Sequence, residues 1–311
     1  METIAVIGAG MMGPGIAQVF AAHGHAVEVQ GRTAEKIAGV KDRVRTNLTR
    51  MADYSLVESA DIPRILDRIA VTTELSQALR RANVVIEAIT EDLGMKQKLF
   101  AELDRLCPAD TILCSNTSVM SITEIGAKAK RRDRIVGTHF YQPPFLVPLV
   151  EVVRTQYTAP AHMDAVFDLL KNAGKVPVRV QRDVPGFIAN RMQHALWREA
   201  FALIDEGICD AATVDTAISN SFGLRLPVLG PVANADLVGL DLTLAIHDYV
   251  LPHLNVSPVP CDTLRNRVKE GKLGFKTKGG FLEWTDESIA ATREKLMTYL
   301  LEVAARAKEV Q

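Results

Sequence analysis

Residues 3–7 (TIAVI) form a short β-branched run that ends on the glycine pattern GAGMMG, and residues 14–23 then read as a helix that Gly24 stops. Strand, glycine turn and helix in that order leave few folds open. Gly8, Gly10 and Gly13 give the spacing GxGxxG. In such a turn the first glycine allows the tight bend, the second lets the backbone approach a pyrophosphate, and the third permits close helix packing. The helix N-terminus adds partial positive charge. A glycine-rich turn that binds nothing is the competing reading. In the strand-turn-helix context, Gly8, Gly10, Met11, Met12 and Gly13 are expected to cradle a dinucleotide.

The alternation continues. Further strands are expected at residues 26–30, 69–72, 84–88, 111–114, 135–138, 149–153 and 176–180, with helices at 34–51, 95–106 and 161–172 between them. This order predicts an α/β fold, a mainly parallel, doubly wound sheet with helices on both faces. Residues 1–184 are thus expected to be a Rossmann domain. At DVPGF (183–187) the pattern becomes helical throughout, with helices expected at 188–206, from a cap at Asp210 to 219, at 233–249, at 261–270, and beyond a cap at Thr285. Residues 185–311 are expected to form an all-helical substrate and dimerisation domain. Its first helix carries Ile188, Met192, Ala195, Leu196, Trp197, Phe201 and Ile204, leaving few polar faces, so other helices or a second subunit should cover it. A homodimer is the expectation.

Composition narrows the partners. The 311 residues suffice for two cores. With 36 lysines and arginines against 37 aspartates and glutamates, the net charge of -1 supplies no bulk attraction to nucleic acid or a membrane surface, which leaves a small molecule. Cys107, Cys114, Cys209 and Cys261 lack CxxC spacing, which argues against a disulfide framework or a metal site and suits a reducing cytoplasm. The apolar start has no basic leader and is broken by glycines and a proline, unlike a secretory signal or a membrane span.

The end of the second strand bears on the cofactor. A carboxylate there would hydrogen-bond the ribose of NAD, whereas a nearby arginine accommodates the 2′-phosphate of NADP. Here the chain reads Gln30-Gly31-Arg32-Thr33, and Glu28 sits inside the strand, pointing to a face. The expectation is NAD(P), with Gly31 and Arg32 favouring NADP and NAD left open. Arg32 as a solvated loop cation is the other reading.

His139 follows the strand expected at 135–138, and Glu151 lies inside LVEVV, a hydrophobic run. A buried lone carboxylate costs several kcal/mol, so Glu151 needs a partner, and His139 is the one at hand. Their pairing would fix one imidazole tautomer and suit a general base that takes a proton from an alcohol. Otherwise Glu151 faces solvent and His139 is a turn residue. SNTS (115–118) stands at a carboxyl strand end, where open α/β sheets bind ligands; it either meets a substrate oxygen or caps the helix expected at 121–126. Asn190 falls in an apolar first turn expected to face the cleft between domains, where its amide needs something polar.

Taken together, GAGMMGPGIA, SNTS, GTHFYQP with LVEVV, DVPGFIANR, GPVANADLVGLD and KLGFKTKGGF resemble 3-hydroxyacyl-CoA dehydrogenases over essentially the whole chain. The resemblance implies a Rossmann domain, a helical dimerisation domain and a role in fatty acid metabolism. It implies His139 as catalytic base, Glu151 as its orienting carboxylate, and Ser118 and Asn190 as hydrogen-bond partners of substrate or histidine. By the same match Glu91, Lys96, Asn116 and Lys276 would lie near the cofactor.

The departures matter too. HFYQP replaces HFFNP, so Gln142 stands for an asparagine beside the nicotinamide, and Gly31 stands for the usual acid. TNLTRMADYSL, with Arg50 as its one cation, replaces a lysine-rich stretch. GLRLPVLGP together with PPFLVPLVE resembles the branch acting on free hydroxy acids such as carnitine or gulonate; Arg225 is either a clamp for a carboxylate or an exposed helix-end charge. The leading expectation is an NAD(P)-dependent dehydrogenase of a 3-hydroxyacyl-CoA. A free-acid dehydrogenase and a catalytically silent, crystallin-like cofactor binder are the alternatives.

Overall fold

A computed structural model of the chain describes residues 2–309; the outer limits of the two expected domains, residues 1 and 311, lie outside them. The described residues divide into two compact units, 2–191 with 296–309 and 192–295. The passage between them falls within two helices, Ala189–Asp205 (α9) and Asp286–Glu309 (α14).

The first unit is built on one eight-stranded sheet in the order β3-β2-β1-β4-β5-β6-β7-β8. Its strands are β1 (Thr3–Ile7), β2 (Ala26–Gln30), β3 (Ile69–Thr72), β4 (Val84–Glu87), β5 (Ile112–Ser115), β6 (Ile135–Phe140), β7 (Leu149–Val153) and β8 (Val176–Val180). All neighbours run parallel except β6 and β7. The strand order reverses beside β1 and β4, which opens the crevice where sheets of this type take ligands. The fold is therefore the expected doubly wound α/β sheet with a helical C-terminal part.

Burial on both faces explains why the central strands β1, β4, β5, β6 and β7 read as largely apolar runs. In β1, Ile4 and Val6 join one core with α1 (Gly13–Ala22), α3 (Val40–Asp53) and α8 (Pro160–Asn172), while Ala5 and Ile7 join a second with α6 (Leu93–Leu106). Ile4, Val6 and Ile7 each contribute roughly 1.5–3 kcal/mol on burial. Proline at the start of α1 is preset for a helix.

Three expectations shift. The helix expected at 34–51 is two, α2 (Ala34–Ala38, capped by Thr33) and α3, parted at Gly39. The short helices α4 (Ile62–Asp67) and α5 (Leu75–Leu79) fill crossovers too short for a clear period, while α7 (Ile122–Ile125) lies within the helix expected at 121–126. The strand expected to stop at 138 runs to Phe140, so His139 lies within β6 rather than after it.

The second unit is helical: α10 (Ala211–Ser219), capped by Asp210 through its bond from the Thr213 amide at 2.7 Å, α11 (Pro231–Val238), α12 (Leu240–Val250) and α13 (Asp262–Lys269). The helix expected at 233–249 breaks at Gly239, whose φ of +100° only glycine adopts easily. Phe201 stacks on Phe281 at 4.6 Å, and Phe275 meets Trp284 edge-on at 4.5 Å. No helix among the described residues is long and apolar enough to cross a membrane.

Candidate active site

The glycine turn behaves as its spacing predicts. A Cβ on Gly8 would lie 2.4 Å from the Ala88 carbonyl oxygen, and one on Gly13 only 1.8 Å from the Gly8 carbonyl oxygen, so both must be glycine. Around Gly10 nothing lies within 4 Å of that point, which leaves its backbone open to a ligand. Met11 is exposed, and Met12 is the N-cap residue of α1. Arg43 on α3 donates to the carbonyls of Ala9 (2.9 Å) and Gly10 (3.0 Å), fixing the turn. A cavity of about 710 Å³ begins there and runs past Gln30, Gly31 and Arg32 to Ile89, Thr90 and Leu99. It has the size of a cofactor site and stops short of His139.

Gly31 is sterically enforced. A Cβ there would approach Ile37 Cγ2 to 2.6 Å and the Ala9 Cβ to 3.0 Å. A side chain there requires Ile37 to shift, and the cavity wall at this corner is supplied by the exposed cations Arg32 and Lys36, with Glu35 beside them. Glu28 is turned away, accepting from Gln77 Nε2 at 2.9 Å.

The antiparallel hairpin of β6 and β7 places His139 directly opposite Glu151. Cross-strand neighbours project to the same face, which the sequence separation of the two residues conceals. His139 Nδ1 lies 2.8 Å from Glu151 Oε2, with the histidine 3% exposed and the glutamate 0%. Since an ionised carboxylate only accepts, Nδ1 carries the proton and Nε2 is left as the acceptor. Glu151 Oε1 accepts from the amides of Ile188 (2.8 Å) and Ala189 (3.0 Å) at the start of α9. Burial alone would push the Glu151 carboxyl up, but the bonds from His139, Ala189 and Ile188 outweigh it and hold it below the usual carboxylate range. The Phe187 ring sits 5.8 Å from the imidazole, on a backbone held at a φ of +50°.

The segment 183–190 straps itself to SNTS. Asp183 accepts from Ser121 Oγ (2.6 Å) and the Thr123 amide (2.7 Å), the Gly186 amide donates to the Val119 carbonyl, and Asn190 Nδ2 donates to the Ser118 carbonyl at 2.9 Å. Two expectations are corrected here. The Asn190 amide has a partner within the protein, and the helix cap is Ser121, not SNTS. Asn116 Oδ1 instead accepts from the Phe140 amide at 2.9 Å, tying β5 to the end of the strand that carries His139.

Behind SNTS lies a charge cluster, buried at Lys96 and Glu87 and exposed at Glu91. Lys96 on α6 pairs with Glu87 at 2.5 Å and Glu91 at 3.3 Å. Glu91 accepts from the Ser118 amide at 2.6 Å and from Thr117 Oγ1; Glu87 accepts from Ser115 Oγ at 2.6 Å and the Ile89 amide at 2.8 Å. Lys96 is 1% exposed and so acts from beneath the surface, through Glu91 and SNTS. Glu87 and Arg43 were missed by sequence reasoning. A carboxylate inside VVIEAI is the same signal that singled out Glu151 in LVEVV.

The remaining expected residues scatter. Gln142, exposed, joins Met11 and Thr46 around a second cavity of about 360 Å³. Arg50 stands in the last turn of α3. Arg225, exposed after a short helical turn, and Lys276, exposed between Gly274 and Gly279, belong to the second unit.

Comparison with known proteins agrees with this geometry. The family model for the NAD binding domain of 3-hydroxyacyl-CoA dehydrogenase matches residues 3–184, and that for the C-terminal domain matches residues 186–284. A 3-hydroxybutyryl-CoA dehydrogenase of Clostridioides difficile is 37% identical over 282 residues, covering 90% of this chain and 99% of its own. The crystal structure of (S)-3-hydroxybutyryl-CoA dehydrogenase from Ralstonia eutropha superimposes with a TM-score of 0.77 at 33% identity, over 92% of this chain and 100% of that one. A crystal structure of 5-formyl-3-hydroxy-2-methylpyridine 4-carboxylic acid 5-dehydrogenase, an NAD+ dependent dismutase, reaches a TM-score of 0.90 at 30% identity over 97% of each chain.

Proposed function

The chain belongs to the 3-hydroxyacyl-CoA dehydrogenase family, and from that premise we propose that it interconverts a 3-hydroxyacyl-CoA thioester and its 3-oxo form. It is an oxidoreductase that moves a hydride between a nicotinamide cofactor and a 3-hydroxyl group. The observation that carries the reading of the site is the His139–Glu151 pair, buried at the hairpin of β6 and β7.

In the proposed reaction His139 Nε2 takes the proton of the 3-hydroxyl. Glu151 holds Nδ1–H, stabilises the imidazolium and fixes the ring. Ser118 and Asn190 orient the substrate oxygen, and Asn190 also steadies Ser118 through its carbonyl. When bound, the oxidised nicotinamide supplies the hydride acceptor. Gly8, Gly10, Met11, Met12 and Gly13 would hold its pyrophosphate, which fits the open space at Gly10. Glu91, Lys96, Asn116, Gln142 and Lys276 are the proposed further cofactor contacts. Arg50 and Arg225 are proposed substrate contacts.

The closed corner at Gly31 and the cations Arg32 and Lys36 support NADP over NAD. Changing Arg32 to Asp should lower NADP use relative to NAD at least tenfold; an unchanged ratio overturns that preference. Residues 1–184 serve as the dinucleotide-binding domain and residues 185–311 as the substrate and dimerisation domain of a cytoplasmic homodimer. Exposed Leu240 and Leu244, one turn apart on α12, together with exposed Leu237 on α11 are the apolar side chains proposed to meet a second copy. The substrate is tested by assaying 3-hydroxybutyryl-CoA against free 3-hydroxybutyrate, carnitine and gulonate with both cofactors. Turnover of the thioester supports the reading, and turnover of a free acid alone contradicts it.

A further inference from the structure

The residue two places after His139 reaches the same carboxylate. Tyr141 Oη donates to Glu151 Oε2 at 3.2 Å, the oxygen that also accepts from His139 Nδ1. Its ring centroid lies 4.3 Å from that of the imidazole, at 48°. Glu151 thus has four donors: two amides on Oε1, and an imidazole and a phenol on Oε2. In HFYQP this hydroxyl stands where HFFNP has only a phenylalanine ring, so it is a property of this chain's own sequence.

Building on the His139–Glu151 base, we propose that Tyr141 is a positioning residue that sets the pH at which this base works, by sharing Glu151 Oε2 with the imidazole. A carboxylate oxygen that accepts two hydrogen bonds divides its negative charge between them. The phenol therefore weakens the hold of Glu151 on a protonated imidazole, and neutral, proton-accepting His139 persists to lower pH than it would beside phenylalanine. Burial, followed by the charge and hydrogen bond of Glu151, pushes the Tyr141 phenol up, so it remains a donor throughout the working range.

The surroundings leave this effect undiluted. From β8, Val178 stands beside Glu151, while Arg179 belongs to the alternate face and pairs with Asp164 at 2.7 Å. The first turn of α9 and Ile188 before it give Glu151 two amides, while the Arg191 guanidinium donates to the Pro185 carbonyl at 3.4 Å and Asn190 to the Ser118 carbonyl; the segment before offers the Phe187 ring. Asp183 is taken by Ser121 and the α7 amides, Glu91 by SNTS and Lys96, and Lys175 by the carbonyls of Pro144 and Val147.

The test is the pH profile of kcat/KM for the full-length protein in both directions, with 3-hydroxybutyryl-CoA and acetoacetyl-CoA, for wild type and Tyr141→Phe. The ring stays, so the fold should hold, and thermal melting checks it. Expected is an upward shift of about half a unit to one unit in the acid limb of oxidation, matched by the alkaline limb of reduction. Replacing Tyr141→3-fluorotyrosine, a stronger donor, should move both limbs down. A purely structural tyrosine would change rates without moving the limbs. Limbs of the folded Phe variant that coincide with wild type overturn the role of Tyr141 alone, provided His139→Gln is inactive. An active His139→Gln overturns the base assignment and this inference with it.

Discussion

Glutamine at position 151 is the sharpest probe of the site, because it keeps shape and removes one acceptor. The two amides of Ile188 and Ala189 are fixed by the start of α9 and can only donate, at 2.8 and 3.0 Å. A glutamine must therefore turn its oxygen to them, which aims its NH2 group at His139 Nδ1 and the Tyr141 hydroxyl. Two donors cannot face each other, so the imidazole must give up its Nδ1 proton and carry it on Nε2. The atom that should accept the alcohol proton is then blocked. General-base catalysis contributes typically 10²–10⁴-fold, so Glu151→Gln should lower kcat by about that factor, or about 3–5 kcal/mol in barrier. The glycine turn is untouched, so cofactor affinity by fluorescence titration should change less than about threefold, well under one kcal/mol. Steady-state turnover of 3-hydroxybutyryl-CoA beside that titration decides the matter. A variant retaining more than about a tenth of wild-type kcat would refute the tautomer argument.

Two further outcomes follow from other parts of the structure. Burial would raise the Asp104 carboxyl, but bonds from Arg134, the Lys130 and Arg131 amides and the Arg131 side chain bring it down to about 2 from 3.8. A depressed acid stabilises the fold above its unfolded value and loses that contribution as pH falls through the folded value. Asp104→Asn, which also leaves the 1%-exposed Arg134 without its counter-ion, should therefore cost about 3–5 kcal/mol in urea unfolding at pH 7, with the gap to wild type closing between pH 4 and 2. A gap that does not depend on pH would contradict this. The glycine turn predicts a contrast: Gly10→Ala should leave the melting temperature unchanged and weaken cofactor binding at least tenfold, whereas Gly13→Ala, with its Cβ 1.8 Å from a carbonyl oxygen, should lower both. Equal melting losses in the two variants would sink the assignment of Gly10 to the ligand.

Much of this was legible because the signals are local. Strand, GxGxxG and helix occur within about one βα unit, and every expected strand of the first unit appears in the sheet. Glu151 announced itself as a charge in an apolar run, and the need for a partner led to His139. What was missed depends on contacts between distant segments. Nothing in the order of residues shows that β7 turns antiparallel to β6, although that reversal is what sets His139 opposite Glu151. Asn190 looked unsatisfied because its partner, the Ser118 carbonyl, is a backbone atom 72 residues away. Glu87 carries the same signature as Glu151, but its partner Lys96 lies on a helix rather than on a paired strand. Helix breaks at Gly39 and Gly239 escaped since an isolated glycine is tolerated within many helices.

The central claim is that His139 Nε2 accepts the substrate proton. Single-turnover oxidation of 3-hydroxybutyryl-CoA by His139→Gln, followed by the absorbance of the reduced nicotinamide, tests it most directly. A loss of at least a hundredfold with cofactor affinity preserved is expected; a rate within a few-fold of wild type would contradict the assignment of His139 as the base.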